Sequence, residues 1–207
     1  MRQNAELLLF DVGGVLAEFS GFRDLCPFLR EPLSESEVKQ RWIGCPTIRE
    51  FETGNITPDQ FAERFVAEWG VALTPSEFLR EFSSWARDLL PESRQVLAEL
   101  RARFRLACLS NSNEIYWNRG AREYKILDLF EAGFSSHQLG LHKPDPLIFQ
   151  WTLSALRLKP EAVVFFDDSA DNVSAAREVG VDAFQVAGVT ELRACLIKLG
   201  FLSATER

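Results

Sequence analysis

The sequence predicts a doubly wound α/β fold, a parallel sheet with helices on both faces, carrying a small all-helical segment inserted after the first strand. Three observations lead there. Residues 7–10 read Leu-Leu-Leu-Phe and run into Asp11 and the pair Gly13-Gly14, the pattern of a buried parallel strand ending at a turn. Residues 19–90 offer no convincing strand but several helix starts. From Pro91 onward, apolar strand-like runs alternate with helical patterns, as βαβ units do.

In chain order, the first strand delivers Asp11 to the carboxyl edge of the sheet, where open α/β sheets bind their ligands. An acid close to glycines is also ordinary turn chemistry, so this position alone does not decide its role. In the helical segment, Ser34 with Glu37, Thr57 with Gln60, and Thr74 with Glu77 have capping-box spacing, and Pro58 and Pro75 stand at first helical positions. Phe61, Phe65, Val66 and Trp69 then recur at helical spacing, as do Phe78, Leu79, Phe82, Trp85, Ala86 and Leu89. Such aromatic stripes read as packing. Gly54-Asn55 closes one helix before Thr57 opens the next. Further strands are expected at 104–110, 132–135, 162–167 and 182–186, separated by helices near 93–102, 114–127, 145–158, 170–179 and 190–199. The expected division is a core of residues 1–18 and 91–207 and a helical cap of 19–90, with 203–207 frayed.

The 207 residues suffice for a substantial hydrophobic core without staples. A net charge of -7 and the absence of a Lys/Arg cluster exclude a broad nucleic-acid surface, so an anionic substrate needs local cations. Cys26, Cys45, Cys108 and Cys195 follow no metal-ligand spacing and read as reduced thiols. No apolar run is long enough to span a bilayer and the N-terminus has no cleavable leader pattern, which points to a cytoplasmic protein. No membrane or nucleic-acid partner is expected, and the chain is expected to be a monomer or weak dimer.

Each polar cluster falls just past an expected strand: Asp11, then Ser110-Asn111, then Asp167-Asp168 with Asn172. Lys143 lies in the loop Gly140-Leu-His-Lys-Pro-Asp145, before a helix. In a parallel sheet these ends share one edge, so the groups face a common crevice. A phosphate monoester carries close to two negative charges, and a carboxylate reaches its phosphorus only if that charge is offset. Mg²⁺ supplies the offset, with Asp11 and Asp168 as hard oxygen ligands, the carbonyl of Gly13 as a further one, and Asn172 adding or orienting another. Lys143 adds a second positive charge, while Ser110 and the backbone amide of Asn111 donate hydrogen bonds to the phosphoryl group. Asp11 then serves as nucleophile and forms an aspartyl-phosphate that water hydrolyses. His137 and His142 read as solvated loop or surface residues, since neither has a His or Cys partner at ligand spacing. Of the cap tryptophans, one among Trp42, Trp69 and Trp85 is a candidate to stack on a substrate.

The segments Phe10-Asp11-Val12-Gly13-Gly14-Val15, Leu109-Ser110-Asn111-Ser112-Asn113, Gly140-Leu141-His142-Lys143-Pro144 and Val164-Phe165-Phe166-Asp167-Asp168-Ser169-Ala170-Asp171-Asn172 resemble, in order, the four motifs of the haloacid dehalogenase-like (HAD) superfamily. The resemblance covers the whole chain, and the pattern is most similar to the bacterial alpha-D-glucose-1-phosphate phosphatase group. It implies a Rossmann-like core with a helical cap. It also implies that Asp11 is nucleophile and metal ligand, that Gly13 offers its carbonyl to the metal, and that Ser110 and Asn111 bind phosphate. Lys143 matches the charge-stabilising lysine and Asp168 the metal-binding acid. Asn172 stands where many relatives have a second acid, and Asp167, where many have Gly, takes a supporting role.

One departure matters. Most phosphatases of the superfamily carry a second Asp two residues after the nucleophile, where it protonates the leaving oxygen; here that residue is Gly13. A missing general acid typically costs a factor of about 10² to 10⁴. Either the leaving group is relatively acidic, as an anomeric hydroxyl is, or another acid such as Glu18 substitutes, or the chain binds phosphate without catalysis. The 2-haloacid dehalogenases of the superfamily also lack the second Asp, but they use no metal, and Asp167-Asp168 argue for magnesium and phosphoryl chemistry. The expected activity is hydrolysis of a small phosphate monoester, a sugar phosphate such as a hexose 1-phosphate, by a magnesium-dependent phosphatase.

Overall fold

The computed structural model describes residues 5–203. The strands are β1 (Leu7–Phe10), β2 (Ala17–Phe19), β3 (Ala86–Leu89), β4 (Arg105–Ser110), β5 (Ala132–Ser135), β6 (Val163–Asp167) and β7 (Asp182–Gln185). Five of them form one sheet in the order β5-β4-β1-β6-β7, and every pair in it is parallel. The chain therefore moves outward on one side of β1, through β4 to β5, and then crosses to the other side at β6. That reversal makes the carboxyl end of β1 the topological switch point, where neighbouring connections diverge and leave a crevice.

Burial of β1 on both faces explains its unbroken apolar run: Leu7, Leu8 and Phe10 are 0% exposed and Leu9 is 2% exposed. Successive side chains alternate between two cores. Leu7 and Leu9 pack with Ala107, Leu109, Val163 and Phe165 beneath the helices Pro146–Leu156 and Ala170–Glu178. Leu8 and Phe10 pack with Leu106, Cys108, Val164 and Phe166 against Pro91–Arg101 and Gly188–Lys198. Each fully buried Leu or Phe contributes about 1.5–3 kcal/mol of transfer free energy, which holds β1 as the rigid base of the site.

A third cluster belongs to the helical segment. All three capping boxes form, at Ser34, Thr57 and Thr74, and they open the helices Glu35–Ile43, Pro58–Trp69 and Pro75–Trp85. Their apolar faces meet in an aromatic core in which Phe51 stacks on Phe61 at 4.3 Å and Phe65 on Phe78 at 4.9 Å. Trp69 and Trp85 are packed into this core, 3% and 1% exposed.

The structure differs from the sequence expectation in identifiable places. The helix after Thr74 stops at Trp85, and Ala86–Leu89 pairs instead as an antiparallel strand with Ala17–Phe19. Helical spacing misled because Trp85 and Leu89 are both buried, yet Trp85 packs in the aromatic cluster and Leu89 in a sheet-side core. The β2–β3 pair thus bridges the two packing units. The expected helix at 114–127 ends at Arg122; Lys125 takes a left-handed conformation (φ 51°), and a short 3-10 turn covers Ile126–Leu129. The helix expected to close at Gly54-Asn55 is Pro46–Glu52, while helices at Gly21–Leu25 and Ser136–Leu139 were not anticipated. All four cysteines are free thiols. No helix among the described residues is long and apolar enough to cross a membrane. Of the end expected to fray, positions 204–207 lie outside the described residues.

Candidate active site

The carboxyl ends of β1, β4 and β6 bring Asp11, Ser110, Asn111 and Asp168 to one cavity of about 970 Å³, and the loop after Gly140 adds Lys143. Asp11 is 8% exposed and Lys143 1% exposed. The Lys143 ammonium is the hub of the site. It lies 3.1 Å from Asp11 Oδ1, 2.6 Å from Asp167 Oδ2, and donates to the Leu109 carbonyl at 2.9 Å. Burial alone would lower its pKa, but the charges of Asp11 and Asp167 outweigh that and raise it, so the group stays cationic.

Asp167 is fully buried, and its oxygens are occupied. Besides Lys143 it accepts from the Ser169 amide at 2.8 Å and from Asn172 Nδ2 at 2.9 and 3.1 Å. It holds the Lys143 ammonium through the 2.6 Å contact. Asn172 likewise turns its amide nitrogen toward Asp167, so its contact here is with a carboxylate that orients the lysine.

Of the three clustered carboxylates, Asp11 and Asp168 line the cavity. Burial raises the Asp11 carboxyl from its ordinary value to about 7; Lys143 pulls it down, while the charges of Asp167 and Asp168 push it further up. Asp168 is raised too, first by burial and then by Asp167. Asp11, Asp167 and Asp168 offer oxygens that all lie within 4.8 Å of one another. Three carboxylates against one ammonium leave an excess of negative charge, and the donors are hard oxygens, the set that suits a divalent cation such as Mg²⁺. Gly14 supports the same fit. It sits at φ +78°, and a Cβ there would lie 2.6 Å from Asp168 Oδ2, so the chain keeps this space clear of side chains. Gly13, by contrast, has nothing within 4 Å of a built Cβ.

The motif after β4 divides its labour. Ser110 lines the cavity. Asn111 uses its side chain inside the fold: Oδ1 accepts from the Lys143 amide and Nδ2 donates to the Lys143 carbonyl, both at 2.9 Å. That double bond to one backbone unit fixes the lysine loop against β4. Ser112 is tied to Ser136, and Asn113 caps the helix Glu114–Arg122.

Two expectations change. His142 is no solvated loop residue: Nε2 lies 2.9 Å from Glu52 Oε2, and Nδ1 lies 3.2 Å from Asn111 Nδ2. His137 is half-buried, bonded to Ser135 Oγ at 2.6 Å. The acidic cluster itself consists of Asp11, Asp167 and Asp168. Glu18 lines the mouth of the cavity, but its side chain is 57% exposed and reaches Arg23 at 3.6 Å, at the start of the cap. Of the three tryptophans, Trp42 is the one that lines the cavity. Glu52 and Tyr116 also line it and escaped the sequence reading. Glu52 lies in no motif and Tyr116 three residues past the one that ends at Asn113, and packing of the helical segment on the sheet brings both to the cavity wall.

A family model described as haloacid dehalogenase-like hydrolase matches residues 5–180. The chain is 30% identical over 196 residues to a Mycobacterium tuberculosis protein named phosphatase MT3486, covering 86% of each chain. It is 24% identical over 185 residues to a D-ribitol-5-phosphate phosphatase of Bacteroides thetaiotaomicron, covering 86% of this chain and 90% of that one. Among solved structures, a magnesium complex of a HAD family enzyme from Bacteroides thetaiotaomicron shares the fold with a TM-score of 0.74 at 23% identity, over 89% of this chain and 94% of that one.

Proposed function

The chain belongs to the haloacid dehalogenase-like hydrolase family, and from that premise we propose that it is a magnesium-dependent phosphatase of small phosphate monoesters, with sugar phosphates, such as a hexose 1-phosphate, as its substrates. One observation carries the reading. Asp11 stands at the switch point of the sheet, its Oδ1 3.1 Å from the buried Lys143 ammonium, with Asp168 beside it on the same cavity. Relatives named as phosphatases support the reaction class.

In this reading Asp11 attacks phosphorus with one carboxylate oxygen, the bond from phosphorus to the leaving oxygen breaks, and an aspartyl-phosphate forms. Lys143 neutralises Asp11 on approach and then the phosphoryl oxygens as their charge spreads. Ser110 and the backbone amide of Asn111 hold the phosphoryl group, while the Asn111 side chain keeps Lys143 in place. Water then cleaves the acyl phosphate, returning Asp11 and releasing inorganic phosphate. Asp11, Asp168 and the Gly13 carbonyl, with Asn172 in the adjoining position, would hold Mg²⁺, which when bound supplies charge neutralisation that lets a carboxylate meet a dianion. With Gly13 in place of an acid, substrates whose leaving group is acidic are favoured, which an anomeric hydroxyl satisfies.

The test is phosphate release from hexose 1-phosphates, hexose 6-phosphates, phosphoglycolate and an aryl phosphate, with magnesium or with chelator, and with Asp11→Asn as control. Magnesium-dependent release that is lost in Asp11→Asn is the expected outcome. Absence of release from every substrate, with phosphate still bound, would make the chain a binding protein instead.

A further inference from the structure

The loop that carries Lys143 has two polar fastenings, and only one of them belongs to the motif after β4. In that one, Asn111 grips a single backbone unit: Oδ1 accepts from the Lys143 amide and Nδ2 donates to the Lys143 carbonyl, both at 2.9 Å. The other is His142, the residue before the lysine. Its Nδ1 lies 3.2 Å from Asn111 Nδ2, and its Nε2 lies 2.9 Å from Oε2 of Glu52, 90 residues earlier in the chain. The side chains of His142 and Glu52 are 16% and 15% exposed, so the pair is largely withdrawn from water.

The proton positions in this chain of contacts follow from the backbone. A peptide N–H only donates and a carbonyl only accepts, so Lys143 fixes which end of the Asn111 amide is oxygen and which is nitrogen. Nδ2 has a second hydrogen, and His142 Nδ1 receives it; the ring proton is therefore on Nε2 and is donated to Glu52. Both ring nitrogens are thereby engaged. His142 has neither a proton nor a lone pair to offer a substrate, so in this arrangement it is not the acid that Gly13 lacks. It can transmit position instead. Glu52 fixes the ring, the ring fixes the Asn111 amide, and the amide fixes the backbone from which Lys143 reaches Asp11 Oδ1 at 3.1 Å. Glu52 is itself a firm anchor. It ends the helix Pro46–Glu52, and its carbonyl accepts from the Ser136 hydroxyl, which in turn accepts from the Ser112 amide at 2.9 Å. Two residues on, Gly54 (φ +71°) packs so closely that a Cβ there would collide with the His137 carbonyl oxygen.

We propose that His142 and Glu52 are positioning residues for Lys143, joining the helical segment to the loop that presents the ammonium, a role that rests on the phosphatase reading of the same cavity. The ammonium is worth most where charge spreads over the phosphoryl oxygens, so its placement acts on the transition state more than on substrate binding. A displacement of about 1 Å caused far from the reacting atoms costs about 10² in rate.

Glu52→Ala and His142→Ala are expected to lower kcat about 10- to 100-fold while KM moves by less than about threefold. Both break the same chain of contacts, so the double variant should be slower than the worse single one by no more than about twofold. Glu52→Gln keeps an acceptor for the Nε2 proton and is expected to stay within about threefold of the parent kcat. An acid–base role for Glu52 would make Gln as damaging as Ala and would overturn the positioning role, as would a parent-like kcat in either alanine variant or a loss confined to KM. A second readout needs no turnover. Exchange of the Lys143 amide hydrogen, followed by NMR, reports how firmly Asn111 holds the loop, and is expected to quicken about tenfold in both alanine variants and to keep the parent rate in Glu52→Gln. Amides of β1 in the same spectra should keep their parent rates; equal quickening there, or parent-like exchange at Lys143 in the alanine variants, overturns the positioning role. If the unsubstituted chain releases phosphate from no substrate, the phosphatase reading falls, and the exchange rates by themselves decide whether Glu52 and His142 hold the loop.

Discussion

Gly13 stands two residues after the proposed nucleophile Asp11, and nothing lies within 4 Å of a Cβ built on it. Gly13→Asp therefore meets no steric obstacle and should raise kcat for alkyl phosphates by about 10², within the range general acids contribute; an unaltered kcat in a folded variant would show that protonation of the leaving group does not limit the reaction. Its neighbour Gly14 is the opposite case, with the Asp168 carboxylate 2.6 Å from a built Cβ. Asp11 makes a pH-dependent prediction. Its folded-state pKa, raised to about 7 by burial above an unfolded value near 3.8, means that the native state holds the proton more tightly than the unfolded chain. Stability from this group is thus fully present below about pH 4 and is lost as pH rises toward 7. In chelator, the melting temperature of the parent chain relative to Asp11→Asn should fall across that window; a constant difference would contradict the shift. At this scale the sequence was largely legible, because Asp11, Ser110, Lys143, Asp167 and Asp168 each follow a recognisable local pattern. Glu52, Tyr116 and the His142 contacts were not, since each matters through a partner at least 31 residues away or through a cavity wall.

Among the elements, the capped helices of residues 34–85 were the most readable, because a capping box is a four-residue signal and Ser34, Thr57 and Thr74 each complete one. Their stability lies in the aromatic core they enclose. Phe61 is fully buried and contacts the rings of Phe51, Phe65, Phe78 and Phe82. Phe61→Ala should destabilise the protein by about 3–5 kcal/mol, read as a shift in denaturant midpoint; a loss below about 1 kcal/mol would mean that the cluster repacks. The strand Ala86–Leu89 was the least readable element. Its ladder partner, Ala17–Phe19, is some seventy positions away, and no local periodicity reports a pairing at that distance. The kink at Lys125 was hidden for a related reason, because the apolar spacing of Ile126 and Leu127 suits a helix while the backbone turns at φ 51°.

Across the whole molecule, the acidic charge balance of -7 and the three clustered carboxylates mean that a divalent cation binding the native state stabilises it by mass action. Magnesium at about 100 times its dissociation constant adds about 2.7 kcal/mol, or roughly 5–10 °C in melting temperature for a chain of this size. Asp168→Asn should remove most of that shift, and an equal shift in both proteins would place the ion elsewhere. The parallel sheet was legible because strands buried on both faces must be apolar throughout, and the helices between them must be amphipathic; pattern and burial are the same physical fact written locally. The same logic exposed the four strand ends, since a polar residue that interrupts such a run has to lie at the sheet's edge. What the sequence by itself determined is therefore the layered fold, the helix starts and the residues delivered to that edge. Only the tertiary structure decided how the cap sits over them: which tryptophan faces the cavity, how Glu52 reaches His142, and that the Tyr116 hydroxyl has no hydrogen-bond partner among the described residues. Those depend on side chains distant in sequence meeting across an interface, and no local propensity encodes such a meeting.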